Sequence, residues 1–296
     1  RDRFIELGVL LIGVSVFAEI LFGPNVAFFG SQVTTNLVGL LNSLGESGIA
    51  ALIVVFAVII TYNNEKTIKQ LYDSIDKELF YKIMIIYDCS TDETYNIIQT
   101  LGCEFYQNEK NLGMGGNLKK SLQLAFKNGA DYVLEVHGDG QYNPNEIIKA
   151  KKLMDEEYDL IIGSRFINKN PYKKDGMPFM RFITNKIFST FTGFFLNINL
   201  TEFHTGFKIF NKKFHETVPY HFNSNTYLFS FQVILQAKLF KLRSSEISIS
   251  SVYNKDVSSC GYLEGFIYLL RNFEIILMFY MAKFKIYTNS IFKKID

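Results

Sequence analysis

Residues 132–144 read Tyr-Val-Leu-Glu-Val-His-Gly-Asp-Gly-Gln-Tyr-Asn-Pro. The apolar run from Tyr132 to Val136 ends in a turn that carries His137, Gly138, Asp139 and Gly140. A run of this length closed by an Asp-Gly turn reads as a buried strand. It sets a metal-capable acid at a strand's carboxyl end, where open α/β sheets bind ligands. Taken alone, the stretch also fits a hairpin or an ordinary loop. Its meaning comes from the segments around it.

Upstream and downstream of that turn the chain alternates strand, turn and helix. Ala57 to Tyr62 is a β-branched run, followed by Asn63-Asn64-Glu65 and a helix with apolar positions Ile68, Leu71, Tyr72 and Ile75. Lys82 to Tyr87 is a second strand, closed by Asp88-Cys89-Ser90-Thr91-Asp92-Glu93, in which Ser90 or Thr91 is expected to cap the next helix. Cys103 to Gln107 is a short third strand, and the pattern continues as helix 117–128, strand 131–136, helix 144–157 and strand 159–162. Such alternation predicts an α/β fold, a mostly parallel sheet with flanking helices.

Composition limits the function classes. With 296 residues, 48% hydrophobic and 20% charged, the chain can bury a full core, as one large or two smaller domains. A net charge of +2 and no basic stripe interleaved with aromatics give no sign of nucleic-acid binding. Cys89, Cys103 and Cys260 are odd in number and widely spaced, which suits neither a disulfide framework nor a zinc site and points to a reducing compartment.

The composition is uneven along the chain. Residues 1–58 contain no Lys and no Tyr, whereas the rest holds all 17 Tyr and every Lys and Arg except Arg1 and Arg3. Residues 1–56 are therefore expected to be a separate hydrophobic, membrane-directed segment and a candidate fusion partner. The apolar stretch Leu7 to Gly23 is marginal against the ~20 residues a span needs unless Phe4 and Ile5 are included. A second, Val33 to about Phe56, is long enough, with Asn42, Ser43, Glu46 and Ser47 in its middle. Polar groups there face another helix, within a hairpin turning at Gly23-Pro24-Asn25 or between chains of a homo-oligomer; a soluble amphipathic bundle is the alternative. The domains then run 1–56, 57–256 and 257–296. In the last, Tyr262, Phe266, Leu269, Leu270, Phe273, Ile276, Leu277 and Tyr280 recur at helical spacing, interrupted by charges. Such amphipathic helices either lie on a membrane or pack on the sheet.

Three loops at strand ends are expected to converge: Thr61-Tyr62-Asn63-Asn64-Glu65, the Asp88 turn, and the His137-Asp139 turn. Each also has a plainer reading, as a helix entry, a helix-starting acid or a turn-stabilising acid. Mg²⁺ bound to phosphates takes only one or two protein carboxylates, so Asp139 with a diphosphate suffices. Asn111-Leu112-Gly113-Met114-Gly115-Gly116-Asn117 is a glycine-rich approach to a helix, which brings backbone close to a phosphate or sugar. It lacks the dinucleotide and P-loop spacings.

Together these residues, from about Ala57 to about Tyr268, resemble the family-2 inverting glycosyltransferases of GT-A fold, the group of dolichyl-phosphate mannose synthases and polyprenyl-phosphate sugar transferases. Val58 to Glu65 looks like the opening strand and nucleotide loop; Tyr87-Asp88-Cys89-Ser90-Thr91-Asp92 is similar to Asp-Asp-Gly-Ser-Thr-Asp, with Tyr87 and Cys89 as departures. His137-Gly138-Asp139-Gly140-Gln141 stands at the Asp-x-Asp-x-Gln metal motif, with His137 for the first acid. Gly163-Ser164-Arg165-Phe166 matches a donor-side segment, and Gly176-Met177-Pro178 with Arg181 and Asn185 matches an acceptor-side loop and helix. Thr201 to Lys208 is similar to an acid followed by Ser/Thr-Gly-Phe-Arg, with Glu202 and Lys208 in place of Asp and Arg. Ser230 stands where relatives often carry an acid, and Val252 replaces an Arg before Tyr253.

The resemblance implies Mg²⁺ or Mn²⁺ on Asp139 with His137 as helper, and a UDP- or GDP-linked sugar held by Thr61, Tyr62, Asn63, Glu65, Asp88, Asn111, Gly113, Gly115, Lys119, Gly138, Gln141, Gly163, Ser164, His204 and Lys208. Arg165 and Lys208 are expected to clamp phosphates. Glu202 is the candidate general base, or a positioning group if the acceptor is a phosphate. The acceptor is expected to be a lipid phosphate or a glycan, with the chain membrane-associated and its catalytic domain cytoplasmic. Two rivals are a nucleotidyltransferase, disfavoured because residues 61–65 are no Gly-rich basic phosphate loop, and a membrane-tethered, non-catalytic sugar-nucleotide binding module.

Overall fold

A computed structural model describes residues 53–253 and 262–294. Most of the segment expected over 1–56, including both apolar stretches up to residue 52, lies outside the described residues, as do residues 254–261.

Seven strands form one sheet: β1 (Val55–Thr61), β2 (Lys82–Tyr87), β3 (Glu104–Gln107), β4 (Tyr132–His137), β5 (Leu160–Ser164), β6 (Lys208–Asn211) and β7 (Ser244–Ser248). Their order is β3-β2-β1-β4-β6-β5-β7. β1 pairs in parallel with β2 and β4, placing Val58 between Met84 and Glu135. β6 is the one reversed strand, antiparallel to both β4 and β5, with Ile209 between Leu134 and Ile161. All seven residues of β1 are buried, as expected of a central strand covered on both faces.

The helices that position the cleft are α1 (Ile68–Ser74), α2 (Thr94–Thr100), α3 (Gly113–Lys127), α4 (Lys151–Asp155), α5 (Pro171–Lys174), α6 (Phe179–Leu196), α7 (Lys212–Thr217), α8 (Leu228–Leu239) and α9 (Tyr262–Lys283). Three expectations shift. The helix expected over 117–128 begins at Gly113 and so takes in the glycines expected to precede it. The helix expected to start at Ser90 or Thr91 begins at Thr94, where Asp92 Oδ1 accepts the Thr94 backbone N–H at 3.1 Å. The helix expected over 144–157 is a tight 3₁₀ turn from Pro144 to Ala150 that becomes α-helical only over Lys151–Asp155.

α3 lays Leu118, Leu122, Ala125 and Phe126 on β1 and β2, meeting Phe56, Val58, Met84 and Ile86. Burying each such side chain stabilises the fold by about 1.5–3 kcal/mol. α6 ends at Asn197 in the left-handed region (φ 50°), a conformation that asparagine tolerates, with Ile198 N–H returning to Gly193 O at 2.9 Å. α9 packs on α8 through Ile275, Ile276, Phe279 and Ala282. Its other face leaves Ile267, Leu270, Phe273 and Leu277 exposed. No helix among the described residues is long and apolar enough to cross a membrane.

Candidate active site

The carboxyl ends of β1, β2 and β4 are laced together by their loops. Gly138 N–H donates to Ile60 O at 2.9 Å, and Thr67 Oγ1 donates to Gly138 O at 2.8 Å. A Cβ at Gly138 would sit 2.7 Å from both Thr61 Oγ1 and Asn64 Oδ1, so only glycine lets the metal-motif turn pass so close to the first loop. Asn63 adopts a left-handed φ of 51° and receives the Thr91 backbone N–H on Oδ1 at 2.8 Å. Glu65 Oε2 accepts the Glu93 N–H at 3.1 Å, and Tyr62 stands exposed between them.

Asp88 is turned inward. Oδ1 accepts from Asn108 Nδ2 at 2.7 Å and Leu112 N at 2.9 Å, while Oδ2 accepts from Gly113 N at 3.1 Å. A carboxylate on these donors suits the positive end of α3 and fastens the β2 loop to it. Asn111 joins in, Nδ2 donating to Asp88 O and Oδ1 receiving Gly113 N–H. The glycine-rich stretch forms the first turn of α3 and faces the chain's own backbone: Cβ atoms at Gly113 and Gly115 would collide with Asn225 O and Ser224 O. Lys119 Nζ donates to Asn223 O at 2.8 Å in the same segment. Gly113, Gly115 and Lys119, expected on the donor side, thus also pack against the backbone of residues 223–226.

The second half of the cleft gathers around β4, β5 and the approach to β6. Asp139, 7% exposed, receives the Gln141 N–H on Oδ1 at 3.0 Å. His137 Nε2 lies 2.8 Å from Glu135 Oε1. Burial works against a charged His137, but the Glu135 hydrogen bond and charge, with Asp139 adding, outweigh it and raise its pKa. Glu135 is buried inside β4 with Oε2 unpartnered. Opposite it Lys208, at the start of β6, is fully buried and donates to Thr205 O. Burial pushes the Lys208 ammonium pKa down, against the pull of Glu135 and Glu202.

Glu202, fully buried, is held by Arg165: Arg165 N donates to Oε2 at 2.8 Å, Nε lies 2.9 and 3.0 Å from the two carboxylate oxygens, and Nη2 closes on Oε1. Arg165 Nη1 donates to Tyr253 Oη at 2.6 Å. Tyr142, its hydroxyl pKa pushed up to about 12 by burial, stands edge-on to His137 and receives Gly206 N–H at 3.5 Å. Ser164 Oγ meets Thr201 Oγ1 at 2.6 Å, and Gly163 leaves room for Ile249 and Phe207. His204 packs between Phe188, Phe231 and Tyr268, its Nδ1 3.0 Å from the Tyr268 hydroxyl, and burial lowers its pKa to about 3.

The fold thus brings His137, Asp139, Arg165, Glu202 and Lys208 into one place, with Glu135 and Tyr142 as two further neighbours. An acid interrupting an apolar strand two residues before His137 was the available signal, since period-two spacing puts both on one face. Among the described residues no three His, Cys, Asp or Glu side chains could hold a metal by themselves. The donors fit a hard cation held by one carboxylate and completed by phosphate oxygens and water.

This sheet and this cleft are those of a glycosyltransferase. The chain belongs to glycosyl transferase family 2, whose model matches residues 56–218, just over half of the sequence. It is 26% identical to the UDP-N-acetylglucosamine–dolichyl-phosphate N-acetylglucosaminyltransferase of Methanococcus voltae, over 68% of this chain and 86% of that protein. It is 27% identical to an uncharacterised protein of Methanocaldococcus jannaschii, covering 70% of this chain and 85% of that one. A shorter match, 22% identical over 36% of this chain and 39% of the other, is to a polyprenol monophosphomannose synthase of Mycolicibacterium smegmatis. Among solved structures, glucosyl-3-phosphoglycerate synthase from Mycobacterium tuberculosis, in complex with Mn²⁺, UDP and glucosyl-3-phosphoglycerate, shares the fold: TM-score 0.59, 13% identity, 79% of this chain and 82% of that one.

Proposed function

We propose that the protein moves a sugar, with inversion, from a nucleotide-diphosphate donor to a lipid-linked phosphate, with Mg²⁺ or Mn²⁺ bound at Asp139. The observation that carries this is the grouping of Asp139 with Arg165 and Lys208 beside the carboxyl ends of β4 and β5. The names of the Methanococcus voltae and Mycolicibacterium smegmatis relatives support a lipid-phosphate acceptor, and the Mn²⁺ and UDP of the solved neighbour support the cofactor and donor class.

The bound cation would neutralise charge on the departing nucleoside diphosphate. The chain's own residues do the rest. Asp139 would hold the cation, and its carboxylate is fixed by the Gln141 N–H on Oδ1. His137 is oriented by Glu135 through Nε2. Lys208 and the Arg165 guanidinium place positive charge near the leaving group, the latter fixed by Glu202 and Tyr253. The acceptor oxygen bonds to the anomeric carbon as the bond from that carbon to the diphosphate oxygen breaks on the opposite face. A phosphate acceptor brings no proton to remove, which agrees with Glu202 being committed to Arg165 rather than free as a base.

Incubating the full chain with Mn²⁺, polyprenyl phosphate and labelled UDP- or GDP-sugars tests this. Label passing into the organic phase, with anomeric configuration opposite to the donor's, is the expected result. Tight donor binding without transfer to any acceptor would overturn it in favour of an inert binding module, and transfer only to free glycans would overturn the acceptor class.

A further inference from the structure

We infer that Gln236, deep in α8, is a positioning residue for the nucleotide donor: it holds residues 223–225 against the start of α3 and through them fixes the Asp88 turn at the end of β2. The inference rests on the donor reading above and adds to it a fully buried side chain. Every residue of α8 from Leu228 to Ala237 is buried. Two glutamines one turn apart, Gln232 and Gln236, stand in this otherwise apolar stretch, 4% and 0% exposed. Burying an amide is costly unless its donors and acceptor are met. Here they are met by particular segments of the chain. Gln236 and Asn223 exchange two side-chain hydrogen bonds, each 2.8 Å, and Gln236 Nε2 also donates to Ile291 O at 2.5 Å. Gln232 Oε1 accepts the Ser224 N–H at 2.8 Å.

The segment so held completes the first turn of α3. Asn225 O accepts the Gly115 N–H at 2.8 Å and the Gly116 N–H at 3.4 Å, and Asn223 O accepts Lys119 Nζ at 2.8 Å. The backbone carbonyls of Ser224 and Asn225 stand so close to Gly113 and Gly115 that no Cβ fits between, so helix start and segment move together. Just ahead, Leu112 and Gly113 give their N–H groups to the Asp88 carboxylate. Asp88 N–H donates in turn to Thr61 O at 3.0 Å, in the loop assigned to the nucleotide. An amide with partners in two separate segments has one orientation, and a satisfied buried network of this kind specifies position. An apolar side chain of the same size would fill the space and fix nothing.

In the full chain, Gln236→Met keeps the length of the side chain and loses its hydrogen bonds to Asn223 and Ile291. UDP with Mn²⁺, titrated by calorimetry, should bind roughly tenfold more weakly, the scale of a lost buried hydrogen bond. In the transfer assay the donor KM should rise while kcat at saturating donor holds. Amide exchange at Gly115 and Gly116 should quicken, with the β1 amides as protected as before. The double variant Asn223→Leu with Gln236→Leu separates position from stability, and carries the test if Gln236→Met does not fold. Replacing both partners by apolar groups is nearly neutral for folding, so urea unfolding should return toward wild type while UDP affinity stays low. Affinity that recovers along with stability would overturn the inference, as would a Gln236→Met chain that binds UDP as wild type does. A wild-type chain that binds neither UDP nor GDP would overturn the donor reading itself, and this inference with it.

Discussion

Arg165 and Glu202 meet inside the cleft as a buried pair in which the arginine turns one main-chain and two side-chain nitrogens onto the carboxylate. This makes Glu202 the part that fixes where a guanidinium stands. Glu202→Gln keeps the shape but strands a buried cation, so unfolding in urea should show a loss of about 3–5 kcal/mol. Donor affinity should fall with it. A Glu202→Gln protein of native stability and native donor affinity that no longer transfers sugar would instead restore the general-base role.

Asp139→Ala removes the carboxylate assigned to the cation while leaving the Glu135–His137 contact in place. Thermal-shift curves should show that UDP-sugar with Mn²⁺ no longer raises Tm beyond what UDP-sugar does alone. Undiminished metal-dependent stabilisation would move the cation elsewhere.

Gly206→Ala tests the packing behind His137. The added Cβ would sit 2.7 Å from His137 Nε2 and 2.8 Å from Cε1, so ring or backbone must yield. Because Nε2 is the atom that Glu135 holds, the shift should cost about 1–3 kcal/mol in stability and lower metal-dependent transfer together. Wild-type values for both, measured by urea unfolding and turnover, would show the ring to be free to move.

Acid should unfold the protein partly through His204. Its folded pKa, about 3, lies below the unfolded value of 6.5, so the unfolded chain binds the extra proton between these limits. Stability from this group is therefore whole above pH 6.5 and falls as pH drops toward 3. His204→Phe, which suits the ring's aromatic neighbours Phe188 and Phe231, should flatten the decline by roughly 2 kcal/mol down to about pH 4. An unchanged slope of stability against pH would assign the acid sensitivity to other groups.

Much of the frame was legible because strand, turn and helix leave period-two and period-3.6 patterns in a chain. The Asp139 turn was legible because an acid closing an apolar strand is a local signal. The reversal of β6 was not, since Lys208 to Asn211 reads the same in either direction and only its partners Leu134 and Ile161 set its sense. Glycine marks close approach without saying to what, and at Gly113 and Gly115 one close party is the chain itself, at residues 224–226. Whether Glu202 is a base or a positioning group is not legible for a similar reason: a carboxylate's chemistry depends on what faces it, and Arg165 lies 37 residues away in sequence.

The reversed strand also sets an order in time. β6 pairs Ile209 with Leu134, residues far apart along the chain, and seals the gap between β4 and β5. A nascent polypeptide that has already emerged past Asp139 and Arg165 therefore still presents two unpaired strand edges and no cleft. Non-local pairings of this kind close late and slowly. Until then the exposed edges are the places where a ribosome-bound or truncated chain would pair with a neighbour, and the outer edge of β5 stays open until β7 joins it.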